Sequence, residues 1–360
     1  MDQVIEKART NESIAANWPE VRTLKLDLQQ AKLICRFSKE LADLGGPQAP
    51  GTRTKAAGFA TEIKQTFGAT EAEILRTYGE GRLSTLIIEG MLPISENYPP
   101  DALPSLREID ERKDIIQLGA RNQILLKLVD NLAFAYDIDN DAKIIRVVAN
   151  IKGGGKSPLR SESQNPELSS HSGLALGPHT EAPYWCAGRS HSGHSPSPSS
   201  LILSALWNPQ HEPTSVIPLP SILKSLGIDR CLALATPWFQ FTRSDSFVEG
   251  MGEDGSQISI LSFDENGGFS ARFNTYRFSV MQEAPISVKK AFDAFKEEIG
   301  ACTPFQHSLS QHSAIIINNT RALHCRDILQ DNRRVLVRLF GYSRYAEPIA
   351  YSQDPLLVHG

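Results

Sequence analysis

What this sequence lacks narrows its class before any motif is read. There is no CxxC, and the five cysteines (Cys35, Cys186, Cys231, Cys302, Cys325) are odd in number and scattered. That pattern argues against a disulfide framework or a cysteine-rich zinc site and fits reduced thiols. There is no basic excess either. Lys and Arg number 37 against 41 Asp and Glu, a net charge of −4, whereas a dedicated nucleic-acid binder carries a surplus of cations. Long hydrophobic runs are also missing: a stretch such as Ala314-Ile315-Ile316-Ile317 is far too short to cross a bilayer. The opening MDQVIEKART has neither the basic nor the apolar stretch of a secretory leader. A cytoplasmic protein with no membrane or nucleic-acid partner is expected. What remains is ordinary globular material, 360 residues with 41% hydrophobic and 22% charged, enough for a large core in one or two domains.

The chain changes character near Tyr136. Residues 1–135 read as a helical region. Leu28, Leu33, Ile34, Phe37 and Leu41 form a helical stripe stopped by Gly45-Gly46. A second helix fits TEIKQTFGATEAEILRTYGEG, divided at Gly68, and a third fits Leu106 to Leu132. Residues 136–360 read as mainly β. AKIIRVVANIK (142–152), LILSALW (201–207), RCLALATPWFQFT (230–242), SQISILSF (256–263), GGFSARFN (267–274), SAIIINNT (313–320) and RRVLVRLFGYS (333–343) all have strand character. SVKKAFDAFKEEIG (287–300) is an amphipathic helix among them. Many short strands with Gly, Pro and Asp breaks suggest a β-sandwich or barrel. Two loops, 153–176 and 187–200, are rich in Gly, Ser and Pro and long enough to act as lids or binding loops.

Most chemical motifs here are weak. Gly153-Gly154-Gly155-Lys156-Ser157 resembles the end of a phosphate loop. Asn150 stands where the first glycine belongs, however, and Pro158 follows where a helix should begin. His191 and His194 form an HxxH in a loop that offers no rigid scaffold, and His171, His211, His307 and His312 have no evident ligand partner. The informative pattern is His179-Thr180-Glu181. On a strand, residues i and i+2 share a face, so an imidazole and a carboxylate can take adjacent metal positions. A second, distant histidine would complete a three-ligand face with open positions, the arrangement suited to non-heme Fe(II). With 9 histidines and 41 acidic residues in 360, chance alone predicts about one His-x-acid, so the pair needs support. The C-terminal stretch NNTRALHCRDILQDNRRVLVRLFGYS supplies it: His324 follows a β-forming run, and Arg334 and Arg338 share a strand face where a guanidinium fork can hold a carboxylate.

Taken together, HTE, a distal Thr, N-x-x-R-x-x-H-x-R and R-x-x-x-R resemble the clavaminate synthase-like Fe(II)/2-oxoglutarate-dependent dioxygenases. Within that group the pattern is nearest to hydroxylases of free basic amino acids such as arginine and lysine. The resemblance covers about residues 140–345. It implies a double-stranded β-helix (jelly roll) core with the N-terminal helical region packed on it. It implies His179, Glu181 and His324 as iron ligands. Arg334 and Thr214 would hold the distal carboxylate of 2-oxoglutarate, and Arg338 a carboxylate on the substrate. The short span from His324 to Arg334 leaves open a register in which Arg338 serves the co-substrate. The implied cofactors are Fe(II), 2-oxoglutarate and O2.

The reaction so implied is oxidation of an unactivated C–H bond, with hydroxylation leading and oxidative cyclisation or desaturation of a natural-product intermediate as the alternative. Glu181 disfavours halogenation, for which related enzymes replace the carboxylate by a small residue. Arginine hydroxylases of the group carry acidic residues after an R-F pair. Here Arg272-Phe273 is followed by Asn274-Thr275-Tyr276, polar but neutral, with Asn274 a candidate substrate contact. That leaves lysine, another amino acid or an amino-acid-derived intermediate of specialised metabolism. Two rival classes remain: a non-catalytic metal-binding or small-molecule-binding jelly roll, and a zinc hydrolase that would give the paired arginines no task. Oligomeric state is not legible in the sequence.

Overall fold

The structure, a computed structural model, describes residues 19–156, 168–264 and 268–360. It is mixed α/β. A nine-stranded sheet runs Val21–Lys25, Thr85–Glu89, Ser313–Asn318, Ser200–Trp207, Val335–Tyr342, Leu132–Tyr136, Leu356–Val358 and Ala350–Gln353, with Arg146–Ala149 also paired to Val335–Tyr342. A four-stranded sheet runs Phe305–Ser308, Pro213–Pro218, Ala322–Arg326 and Leu176–His179. Two further small sheets lie among residues 239–280.

The central strands of the large sheet are covered on both faces, and their sequences alternate accordingly. In Val335–Tyr342, Val335, Val337 and Leu339 join one core while Leu336 and Phe340 join another. Ile202 and Leu206 oppose Leu201, Leu203 and Ala205 in the same way. The first core lies against the helices Leu28–Asp43, Thr52–Lys64 and Lys113–Leu128; the second also takes in Val216, Phe305 and Ala322 of the four-stranded sheet. A third core joins Ile217 and Leu323 of that sheet to the helix Ile286–Ala301 through Val288, Phe292 and Phe295.

The expected helices are present with local adjustments. Leu28–Asp43 starts at a capping box: the Asp27 carboxylate accepts from the Gln30 amide at 2.8 Å, and the Asp27 amide donates to the Gln30 side chain at 2.9 Å. Gly68 divides Thr52–Lys64 from Ala69–Gly79 as expected, and the third helix breaks into Leu106–Asp110 and Lys113–Leu128. Residues 1–135 are not helical throughout, however. Val21–Lys25 and Thr85–Glu89 pair in parallel and extend the large sheet, with the helices between them as the crossover. Leu86, Ile87 and Ile88 are all buried, as befits a strand covered on both sides.

The stretch 230–242 also departs from expectation. Ile228–Leu234 is a helix, and only Phe239–Phe241 is strand. Leu and Ala are strong helix formers, and a short apolar run without alternation does not distinguish the two states. The stretch 256–263 divides into Gly255–Ile258 and Leu261–Phe263. All five cysteines are free, and among the described residues no helix is long and apolar enough to cross a membrane. Ile316 is fully buried in the large sheet. Replacing it with Ala should cost about 2–5 kcal/mol in a urea denaturation, the range for deleting a buried aliphatic side chain.

Candidate active site

The metal-ligand candidates meet through backbone pairing. His324 and His179 are directly opposed in the antiparallel pair Ala322–Arg326 and Leu176–His179, with ring centroids 4.1 Å apart. Glu181 lies just past the strand end. Its amide donates to the Asn319 side chain at 2.7 Å, and its carboxylate reaches within 3.4 Å of His324 Nε2. Thr180, between the two candidates, turns the other way and bonds Phe273 through both its amide and its hydroxyl. Each of the three residues offers a ligand atom, and these atoms lie within 4.8 Å of one another.

The protonation states suit a cation. His179 Nδ1 lies 2.7 Å from the Gly177 carbonyl, so it carries the proton and leaves Nε2 as the lone-pair nitrogen. Burial, reinforced by the adjacent His324 ring, pushes the His179 imidazolium pKa down to about 3 against the pull of Glu181, which keeps the ring neutral near pH 7. Burial would raise the Glu181 carboxyl, but Arg338 and the two histidines outweigh it and hold the group well below the usual carboxylate range. Two imidazoles and one carboxylate are the donor set that non-heme iron takes.

The same cavity contains a cation that bonds no carboxylate of the described residues. Arg334 and Thr214 are both buried, and Arg334 Nη2 donates to Thr214 Oγ1 at 3.2 Å. Arg334 Nε is buried without a partner, and burial lowers the guanidinium pKa to about 10, partly offset by Glu212. Glu212 is itself engaged, accepting from the amides of Gln330 and Asp331, each at 2.9 Å. Arg338 lies on the same strand face but in different company. Nη1 donates to Glu181 and Nη2 to Asp139, both at 3.0 Å, and Arg146 closes on the other oxygen of Asp139 at 2.5 Å. Two buried guanidinium groups and two carboxylates thus form a chain with no net charge.

Several residues of the site carry little or no signal of their role in the sequence. Arg326, two positions after His324 and on the same strand, lines the cavity and donates to the carbonyls of Ser172 and Leu174 at 2.7 and 2.8 Å. It closes the N-x-x-R-x-x-H-x-R pattern, but that pattern gives it no role of its own. Asp139, Arg146 and Asn319 reach the site only through tertiary folding. Asn274 lines the cavity as expected and bridges to His179; its amide nitrogen donates to the Tyr184 hydroxyl at 3.2 Å. Arg272 is a structural residue, donating to the carbonyls of Tyr184, Trp185 and Ser259.

The weaker motifs fall outside the site. In the glycine loop the Gly153 amide donates to Asn150, the Lys156 amide to Leu329, and a Cβ on Gly155 would stand 2.4 Å from Asn332, so the loop is packed against protein rather than open to a phosphate. Ser157 lies outside the described residues. His191 and His194 close a tight backbone turn, and the His194 ring stacks on Trp185 at 4.5 Å. Among the described residues no second trio of His, Cys, Asp or Glu gathers like the first. Of the two expected lid loops, 153–176 contributes Leu168, Ser169, Ser170 and Leu176 to the cavity wall, although its residues 157–167 lie outside the described set. Loop 187–200 contributes none. Its residues Ser195 to Pro198 are buried, and the Pro196 carbonyl lies 2.5 Å from both the Tyr136 and Tyr342 hydroxyls, so this loop is pinned away from the cavity.

The fold is similar to that of solved structures of OrfP, a non-heme iron oxygenase. The solved structure of OrfP with Fe, succinate and (3S)-hydroxy-L-Arg matches with a TM-score of 0.69 and 20% identity, over 89% of this chain and 93% of that one. OrfP with Fe and alpha-ketoglutaric acid gives 0.67 and 21%, and OrfP with Fe and L-canavanine gives the same values, each over 89% and 94% of the two chains. No protein-family model matches the chain, and no curated protein matches it.

The neutral chain has a direct consequence for stability. Asp139→Ala leaves Arg146 and Arg338 buried without their shared carboxylate. Breaking a buried pair in this way costs about 3–5 kcal/mol. Equilibrium denaturation should register a loss of that size.

Proposed function

We propose that this protein is an Fe(II)/2-oxoglutarate-dependent oxygenase that hydroxylates an unactivated C–H bond of a free amino acid or an amino-acid-derived small molecule. In this reading the two main sheets form the double-stranded β-helix of such enzymes, with the N-terminal helices packed outside. The observation that carries the proposal is the convergence of His179, Glu181 and His324 in the cavity that also buries the Arg334–Thr214 pair. A zinc hydrolase or a bare metal-binding scaffold has no use for a buried, carboxylate-free guanidinium. The OrfP structures hold Fe, alpha-ketoglutaric acid and arginine-related ligands on the same fold, which supports the same class of cofactor here.

Iron, 2-oxoglutarate and O2 together would supply the oxidation of the C–H bond, with one oxygen atom going to the product and the other to succinate as carbon dioxide is released. The chain's own residues hold and orient. His179 and His324 would give neutral nitrogen ligands and Glu181 the carboxylate. Arg334, with Thr214 beside it, would hold the distal carboxylate of 2-oxoglutarate, because a guanidinium keeps its charge when desolvated. This register is favoured over the one using Arg338 by their company: Arg338 already touches two carboxylates, while among the described residues Arg334 bonds a hydroxyl and no carboxylate. Arg338 would hold the substrate carboxylate, sharing its guanidinium with Glu181 and so tying the substrate to the metal site. The Leu168–Leu176 stretch lies where a cover against water is needed, and Arg326 fastens it to the strand of His324.

Anaerobic addition of Fe(II) and 2-oxoglutarate tests the reading. A visible charge-transfer band should appear with the wild type and vanish in His179→Ala. Absence of the band in the wild type would sink the proposal. Arg334→Ala should weaken 2-oxoglutarate binding on the order of 10²-fold in the same titration, since truncating one side of a buried charge pair costs about 2–5 kcal/mol.

A further inference from the structure

The charges lining the cavity bear on what the substrate carries at its far end. Glu181 is the one acidic residue that lines it among the described residues, and that carboxylate is committed to the metal. Against it stand four arginines, Arg277, Arg326, Arg334 and Arg338. Arg334 and Arg338 have carboxylates to hold under the reading above, and Arg326 is tied to backbone carbonyls. Arg277 is left over, on the wall shared with Ser244, Ser246, Asn274 and Tyr276. Its side chain is only 10% exposed, and its partner Asp245, 2.9 Å away, is 50% exposed and does not line the cavity. Arg277 also donates to the Arg243 carbonyl, which fixes the guanidinium in place.

This wall offers several hydrogen-bond donors and, among the described residues, no anion. The Asn274 nitrogen has one hydrogen committed to Tyr184 and a second left over. Three hydroxyls, which can donate or accept, and a guanidinium complete it; the Ser244 and Ser246 hydroxyls bond each other at 2.9 Å. A guanidinium or ammonium on the substrate would meet no carboxylate of the described residues on this wall, and Arg277 lies on it. An unpaired cation buried beside a like charge is disfavoured by both desolvation and repulsion. An oxygen acceptor meets the opposite situation, because a half-exposed ion pair such as Arg277–Asp245 is weak and can be shared.

We propose that the substrate's side chain ends in an oxygen acceptor, a carboxylate or a carboxamide, and that Arg277, assisted by Asn274, is the residue that selects it. The inference rests on the assignment of this cavity as the substrate site. It separates this chain from the guanidino compounds, hydroxy-L-Arg and L-canavanine, held by OrfP.

The test uses the protein loaded with Fe(II) and 2-oxoglutarate under nitrogen and titrated with L-glutamate, L-glutamine, L-arginine and L-lysine. Two signals are read, the melting temperature and the perturbation of the visible band. Glutamate or glutamine should raise the melting temperature by several degrees and shift the band, and the stronger of the two tells anion from neutral acceptor. Arginine and lysine should do neither. In Arg277→Gln the response to the preferred ligand should weaken at least 10-fold. A response to arginine or lysine equal to or stronger than that to the acceptor pair overturns the proposal, whichever acid supplies it. So does a response to no ligand, or one unchanged in Arg277→Gln. These outcomes are distinct from failure of the cofactor reading, in which no band forms before any amino acid is added.

Discussion

The site depends on a single backbone register. His324 and His179 meet because their strands pair with those two residues opposite each other. Side chains alternate between faces along a strand, so a slip of one residue would turn one imidazole to the far side of the sheet and dissolve the trio. The register is held from both flanks. On one side Ala322 to Cys325 pair with Ser215 to Pro218, the strand that also presents Thr214. On the other, residues 273–275 bond to 178–180, fastening the short Leu176–His179 strand. Asn319, in the turn that leads into the His324 strand, then grips the Glu181 backbone on both its amide and its carbonyl. One turn therefore positions the second histidine and the carboxylate together.

Charge is the second constraint. A cavity that is to receive a cation and small carboxylates needs buried charges of both signs, and each must be compensated. The chain Arg146–Asp139–Arg338–Glu181 does this by alternation. Arg334 departs from the pattern, with its nearest carboxylate, Glu212, committed to two backbone amides. A guanidinium buried without a carboxylate partner is costly, and an anion beside it offsets that cost, which suits the proposed role of Arg334. Lysine would serve poorly at either arginine. An ammonium loses its proton more readily when buried, and it lacks the planar fork that spans two carboxylates at Arg338.

The legible part of the site was the part written in local periodicity. His179 and Glu181 share a face because they are two apart, and Arg334 and Arg338 share one because they are four apart on a strand that alternates Leu336 and Phe340 with Val337 and Leu339. The flanking strands 201–207, 313–320 and 333–343 were equally clear, since β-branched runs of that length have few other homes. The strands Val21–Lys25 and Thr85–Glu89 were not. Each is five residues long, and their parallel pairing across helices leaves no local mark. The helix Ile228–Leu234 is not legible because its short apolar run, IDRCLAL, lacks a periodicity that separates helix from strand. Asp139 and Arg146 escaped for a different reason. Their role is set by meeting Arg338, nearly 200 residues away, and no spacing rule reaches that far.

The loops make the same point about composition. Both 153–176 and 187–200 are rich in Gly, Ser and Pro, and both read as lids. Yet in 187–200 the Ser and Pro residues are used for anchoring. Ser195 and Ser197 bond the backbone at Ile349, Pro183 and Cys186, and Pro196 turns its carbonyl to two buried tyrosines. A small polar residue can solvate a loop or satisfy a buried backbone, and only the partners decide which. The described part of the other loop is tied differently. Arg326 takes the carbonyls of Ser172 and Leu174 from within the cavity wall, and the Gly173 and Leu329 backbones pair behind it. That attachment runs through the side chain two residues from a metal-ligand candidate, so the order of this wall and the geometry of the His324 strand are mechanically one unit.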